Sequence, residues 1–271
     1  MNSTTPFAIQ RLTSSEPGAW SNSYLITSRS EAILFDVSML QSDARQIAEE
    51  IGKSGKRLTT VFISHAHPDH FMGLDVITEH FPKARIVSTA NVVSDIRAAG
   101  PWMFQMLQAK LGIEGPKKLI IPEVLGELRL RVDELALEVR EFGEGEAKHI
   151  AAVYIPSRKA LLAADLVYHQ AHLYLQERHL ESWLDRLDEL EEFAESRVEV
   201  FYPGHGTAGG MELIDQTRTY LRDFADAVRS GDPTSAEQEM LTKYPNYHVK
   251  QFLTMFSIPA YFPNAQIKAS A

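Results

Sequence analysis

Cysteine is absent from this 271-residue chain. That excludes a disulfide framework and every thiolate site, so any metal it binds must have nitrogen and oxygen donors. No stretch reaches the roughly 18 consecutive apolar residues of a membrane-spanning helix, and no membrane partner is expected. Positive charge is scarce too: 27 Lys and Arg stand against 36 Asp and Glu, a net charge of −9. With no basic cluster long enough to track a phosphate backbone, nucleic acid is excluded as an expected substrate. Met1 to Trp20 contains no uninterrupted apolar run of the secretory kind, so a cytoplasmic location is expected. Repeats at a fixed period and low-complexity tracts are also missing, which excludes solenoids and arrays.

What remains is the balance of an ordinary globular protein, 44% hydrophobic and 23% charged, long enough to bury a substantial core. Short strand-like runs open the chain at Phe7 to Leu12, Ser23 to Thr27 and Ala32 to Asp36. A helix over Asp43 to Ile51, a strand over Thr59 to Ser64, a helix to about Phe81 and a strand over Ala84 to Ser88 follow. This alternation predicts a layered α/β architecture. Residues 91–114 read as a helix rich in large, flexible apolar side chains. Ala151 to Ile155 and Ala160 to Ala164 read as a hairpin, and Leu180 to Glu195 as an amphipathic helix. The break at Ser230-Gly231-Asp232-Pro233 divides a larger α/β unit, residues 1–229, from a C-terminal helical extension packed on it, 230–271.

The most informative run is Ser64-His65-Ala66-His67-Pro68-Asp69-His70. Imidazole and carboxylate groups placed at the end of a buried strand converge on one point and suit zinc and related first-row metals. In extended backbone His65 and His67 point the same way, while Asp69 and His70 turn toward a second ion as the chain bends into a helix. The plain alternative is a histidine-rich surface loop or tag. A tag belongs at a terminus and is not fused to a strand and a following helix. Further ligands are expected at strand ends, where His149, Asp165 and His205 stand. Gly204 and Gly206 flank His205 and allow the sharp turn that aims its ring inward. Half of the ten histidines are used in this way.

With these residues assembled, the chain resembles the metallo-β-lactamase-fold superfamily over roughly residues 20–210. The resemblance implies a four-layer αββα sandwich with its site on one edge. It implies two divalent ions, one held by His65, His67 and His149 and the other by Asp69, His70 and His205, with Asp165 bridging. Zinc is the expected ion; manganese, iron and cobalt accept the same donors. There are departures: Glu146-Ala147-Lys148-His149 stands where the family has T-P-G-H, Ala164 where it has Gly, and Asp36-Val37-Ser38 where it has D-T-G. The first of these weakens assignment to the thioesterase branch.

Two divalent ions that share a water present hydroxide at neutral pH, so the implied reaction is hydrolysis, with Asp69 as a proton carrier. Several branches of the family are set aside. True β-lactamases place Cys or His where Asp165 stands. The oxygen-reducing di-iron branch has Glu in place of His67. The tRNA-processing nucleases carry a basic arm that this chain lacks. Tyr168, three residues after Asp165, matches a tyrosine of the acyl-homoserine lactonases, whose phenol hydrogen-bonds the substrate carbonyl or oxyanion; plain core packing is the alternative. Trp102, Met103, Phe104 and Met106 suit an acyl chain or ring, His172 is a candidate for the mouth, and Gln251 to Ile258 is expected to cover the same pocket or a dimer partner. The expected function is therefore a dinuclear metal hydrolase of a small ester or lactone. Thioester, phosphoester or β-lactam hydrolysis is the alternative within enzymes, and a non-catalytic metal-binding regulatory protein the alternative outside them.

Overall fold

The computed structural model describes residues 7–263. Two sheets lie at its centre. The first has six strands in the order β1 (Ala8–Thr13), β2 (Asn22–Thr27), β3 (Glu31–Phe35), β4 (Arg57–Phe62), β5 (Arg85–Ser88) and β6 (Glu123–Val124). Its first two pairings are antiparallel hairpins, and from β3 onward the strands are parallel. Parallel neighbours require crossovers, which α1 (Gln41–Ser54), α2 (Leu74–His80) and α3 (Ala90–Leu111) supply. β3 reads as a near-continuous apolar run, Ala32 to Phe35, and is buried along it because both faces of the sheet are covered there.

The second sheet runs β11 (Val200–Pro203), β10 (Ala160–Ala164), β9 (Ile150–Ile155), β8 (Leu135–Phe142) and β7 (Arg129–Val132). β9 and β10 are buried throughout. Outside them pack α4 (Leu180–Ala194), with Trp183, Leu187 and Leu190 fully buried, and α5 (Glu212–Val228), with Leu213, Leu221 and Phe224. The result is the α/β sandwich that the sequence implied.

The chain after α5 forms a helical extension. Asp232 caps α6 (Pro233–Lys243) by accepting the Ser235 N–H at 2.8 Å. A π-helical turn over Phe252–Ser257 leads into the short α7 (Ile258–Tyr261). The loop after β10 is sewn to this extension by backbone bonds from His172 to His248 and from His248 to Gln170, both 2.9 Å. The Ser257 hydroxyl adds a bond to the Leu173 carbonyl at 3.1 Å. Residues 264–271 of the expected extension lie outside the described residues. Among the described residues no helix is long and apolar enough to cross a membrane.

The short strands β6 and β7 stand at Glu123–Val124 and Arg129–Val132. Leu119, Ile120 and Ile121 pack against the core from an irregular segment. Their apolar character reports burial, which a loop beneath a helix supplies as well as a strand does.

Candidate metal centre

The residues of the site stand in the loops that join the strands, Glu146 in the one between β8 and β9. β4 delivers Ser64 to His70; β10 ends in Asp165; β11 ends in the turn that carries His205. Backbone bonds across the sheets fix these loops together. Ala151 N–H donates to the Ser64 carbonyl at 2.8 Å, Asn22 N–H to Gly204 at 2.7 Å, and Gly204 N–H to Ala164 at 2.8 Å. The Tyr24 hydroxyl donates to the Pro203 carbonyl at 2.6 Å. Gly204 is obligatory: a Cβ there would lie 1.7 Å from Asp165 Oδ1. Ala164 itself has φ of 48° and Asp36 of 60°, left-handed backbone that costs a non-glycine residue about 1–2 kcal/mol. Ala164 is one of the positions where the chain departs from the family's usual residue, whereas Asp36 keeps it.

Two groups of donor atoms result. In the first, Glu146 Oε1 lies 2.9 Å from His67 Nδ1 and Glu146 Oε2 lies 3.6 Å from His65 Nε2. In the second, Asp69 Oδ2 lies 3.6 Å from His70 Nε2 and 3.4 Å from His205 Nε2. Asp165 joins the second group, with Oδ1 3.5 Å from His70 Nε2 and Oδ2 3.4 Å from His205 Nε2. His65 Nε2, Asp69 Oδ2, His70 Nε2, Glu146 Oε2, Asp165 Oδ1 and His205 Nε2 are all buried without a hydrogen-bond partner. Orphaned polar atoms are costly to bury. Six that converge in this way form a donor set that bound cations would satisfy.

The far side of each ring is occupied, and this fixes which nitrogen is free. Ser64 donates its hydroxyl to Asp36 Oδ2 at 2.6 Å, so it accepts from His65 Nδ1 at 2.8 Å. His70 Nδ1 donates to the same Asp36 oxygen at 3.0 Å, and His205 Nδ1 to the Ala19 carbonyl at 3.0 Å. His67 is turned the other way, with Nε2 donating to Glu177 Oε1 at 2.7 Å. Each imidazole therefore turns its other nitrogen inward, the arrangement that outer hydrogen bonds impose on metal-binding histidines. Asp36, within reach of His65 and His70, is taken up by these supporting bonds.

In the absence of a cation the cluster balances its own charge. Burial opposes protonation of His205, yet the Asp165 and Asp69 carboxylates outweigh it and raise its pKa to about 9. His67 is raised against the same burial by Glu146 and Glu177. Asp69, despite burial, is held down to about 2 by His70 and His205. Burial dominates at Glu146 and pushes it up to about 7, with His67 pulling against it. His65 is lowered, by burial first and His70 second.

His149 does not join the site. Its Nδ1 lies 2.6 Å from Asp95 Oδ2 on α3, and its side chain is 24% exposed. Glu146, three residues earlier, fills the place expected for it. The reason is local: β9 begins at Ile150, so His149 has already entered the approach to the sheet, whereas Glu146 lies in the tight turn closed by the Gly145 N–H to Ala147 carbonyl bond at 2.9 Å. A carboxylate beside Gly145 in a loop that precedes a buried strand is the signal the sequence carries for it.

Tyr168 is also redirected. Its hydroxyl donates to Asp165 Oδ2 at 2.6 Å, its ring stacks on His205 at 5.0 Å, and it is buried. The phenol is turned onto Asp165 and is not among the residues that line the cavity above the donor groups. His172 is fully buried, with Nδ1 2.8 Å from the Tyr220 hydroxyl, away from the mouth.

Above the donor groups lies a cavity of about 440 Å³. His67, Asp69, Glu146 and Asp165 form its polar floor. Its walls come from α3, through Trp102, Met103, Met106 and Leu107, and from the C-terminal segment, through Phe252, Met255 and Phe256. That segment thus covers the pocket, as one reading of the sequence had it. Phe104 does not line the cavity. The face that does is 102, 103, 106, 107 and 110, which follows helical periodicity and leaves Phe104 packed on the core. Tyr174, unnoticed in the sequence, stands edge-on to His67 at 4.9 Å and lines the cavity.

Fold and site together define a class: an αββα protein whose sheet edge gathers imidazoles and carboxylates to hold metal ions for hydrolysis. The model of the metallo-beta-lactamase superfamily matches residues 21–205, and the chain belongs to that superfamily of metal-dependent hydrolases. It is 23% identical over 215 residues to the metallo-beta-lactamase type 2 of Bacteroides fragilis, covering 77% of this chain and 78% of that protein. A 66-residue segment, 24% of this chain, is 32% identical to the uncharacterized protein YobT of Bacillus subtilis (strain 168); it spans only 28% of that protein's length. Among solved structures, a metallo-beta-lactamase from Pontibacter korlensis superposes with a TM-score of 0.59 at 18% identity, over 81% of this chain and 99% of that one. At that identity the likeness is one of fold.

Proposed function

We propose that this protein is a dinuclear metal-dependent hydrolase of a small ester or lactone that carries an apolar portion. The observation that carries the reading is the set of six unpartnered, buried donor atoms beneath an apolar cavity. His65, His67 and Glu146 would hold one cation, and Asp69, His70 and His205 the other, with Asp165 between them. Such a pair, when bound, supplies a water acidic enough to ionise near neutral pH and an electrophile for the substrate's carbonyl oxygen.

The chain's own residues do the rest. Asp69, at the cavity floor and ionised at neutral pH, accepts a proton from the attacking water and returns it to the leaving oxygen. Met103, Met106 and Phe252 hold the apolar portion and keep bulk water from the reacting carbonyl. Glu177, bonded to His67 at the cavity wall, adds negative charge that disfavours a phosphoester relative to a neutral ester.

The reading is tested by metal analysis of the untreated protein, with a hydrolysis screen over lactones, esters, thioesters, β-lactams and phosphodiesters. Turnover of aliphatic lactones or esters that is lost on chelation supports it. A metal-loaded protein that turns over only β-lactams or phosphodiesters, or nothing, overturns it.

A further inference from the structure

We infer that Glu146 makes this a site for iron rather than zinc. The inference rests on the dinuclear reading above and concerns which ions the donors select. The first pocket offers two imidazoles and a carboxylate, His65, His67 and Glu146; the second offers two imidazoles and two carboxylates, His70, His205, Asp69 and Asp165. No cysteine thiolate is available anywhere in the chain. Three carboxylates therefore face two cations directly. Two more, Asp36 and Glu177, accept hydrogen bonds from the outer nitrogens of His70 and His67 and make those imidazoles stronger donors.

A lone zinc ion also accepts two imidazoles and a carboxylate. What separates the cases is the sum over the pair. Glu146 Oε2 and its neighbouring donors are buried and unpartnered, so the added anionic charge acts across a short distance with little water to screen it. Each such charge favours a hard, oxygen-preferring ion, and favours most an ion that can reach the 3+ state. Two imidazoles with one carboxylate is also the donor set of non-haem ferrous sites. Iron satisfies both conditions, and zinc, confined to the 2+ state, satisfies neither.

The test is to express the whole chain in medium containing equal iron, manganese and zinc, and to measure metal content and Mössbauer and EPR spectra of the purified protein. Wild type is expected to hold iron over zinc by roughly tenfold, and to give the half-integer-spin EPR signal of a mixed-valent pair after partial reduction. Glu146→His is expected to reverse the metal ratio, while Glu146→Asp retains the iron preference at lower occupancy. Two zinc ions in wild type, with the same ratio in Glu146→His, overturn this inference and leave the dinuclear reading standing. Failure of wild type to bind two ions of any kind overturns that reading itself.

Discussion

Tyr168 donates its hydroxyl to Asp165 at 2.6 Å and lays its ring flat against His205. One residue thus orients two members of the second donor group. It does not line the cavity, so it bears on the site through these two residues.

Tyr168→Phe removes the donor but keeps the ring. Outer-shell bonds of this kind are worth about 10–100-fold in metal affinity, and a loss of that size is expected in chelator competition. At saturating metal, kcat is expected to recover most of its wild-type value. A large kcat defect that excess metal leaves untouched would restore the phenol to the oxyanion role suggested by the sequence.

Glu146 and His149 give opposite expectations for neighbouring positions. Glu146→Gln removes an anionic donor from the first pocket and is expected to lower the stoichiometry from two ions toward one. His149→Ala breaks only the bond to Asp95 on α3, costing about 1 kcal/mol of stability, and is expected to keep both ions. Metal content after gel filtration, with a thermal melt of each variant, separates the two.

Much of the site was legible because its information is local. The run from His65 to His70 follows a buried strand, Asp165 ends another, and Gly204 and Gly206 frame His205. The first of these glycines leaves room for the Asp165 carboxylate, and the second adopts φ of 95°. The errors share a different character. Whether Glu146 or His149 reaches the centre depends on where the loop meets β9, and whether Phe104 or Met103 faces the cavity depends on how α3 is rotated about its axis. Tyr168 was correctly placed beside Asp165, but its direction is set by stacking on a residue 37 positions away in the chain. Long-range packing decides each of these, and a local pattern does not carry it.

Gly204 tests the closeness of the assembly. A methyl group there would lie 1.7 Å from Asp165 Oδ1 and 3.1 Å from His70 Cε1. Gly204→Ala is expected to cost about 1–3 kcal/mol, the usual range for overpacking, and to abolish binding of at least one ion. Gly126, whose added Cβ would meet nothing within 4 Å, supplies the control. Gly126→Ala is expected to leave metal content unchanged in the same titration.

His172 makes stability depend on pH away from the metal centre. Burial, with help from the Lys250 charge, lowers its pKa from 6.5 to about 4. The unfolded chain therefore takes up a proton in a window where the folded chain does not. Stability rises with pH wherever the unfolded state binds more protons, so this contribution is complete above about pH 6.5 and declines as pH falls toward 4. It is flat below that, when both states are protonated. The full effect is about 3 kcal/mol as an order of magnitude. Other groups titrate in the same range, so the informative quantity is the difference between wild type and His172→Phe, which fills the same space without a proton site. Between pH 7 and pH 4 the wild type is expected to lose more stability than the variant in chemical denaturation of the metal-free proteins. Parallel curves would mean that His172 is protonated as readily in the fold as in water.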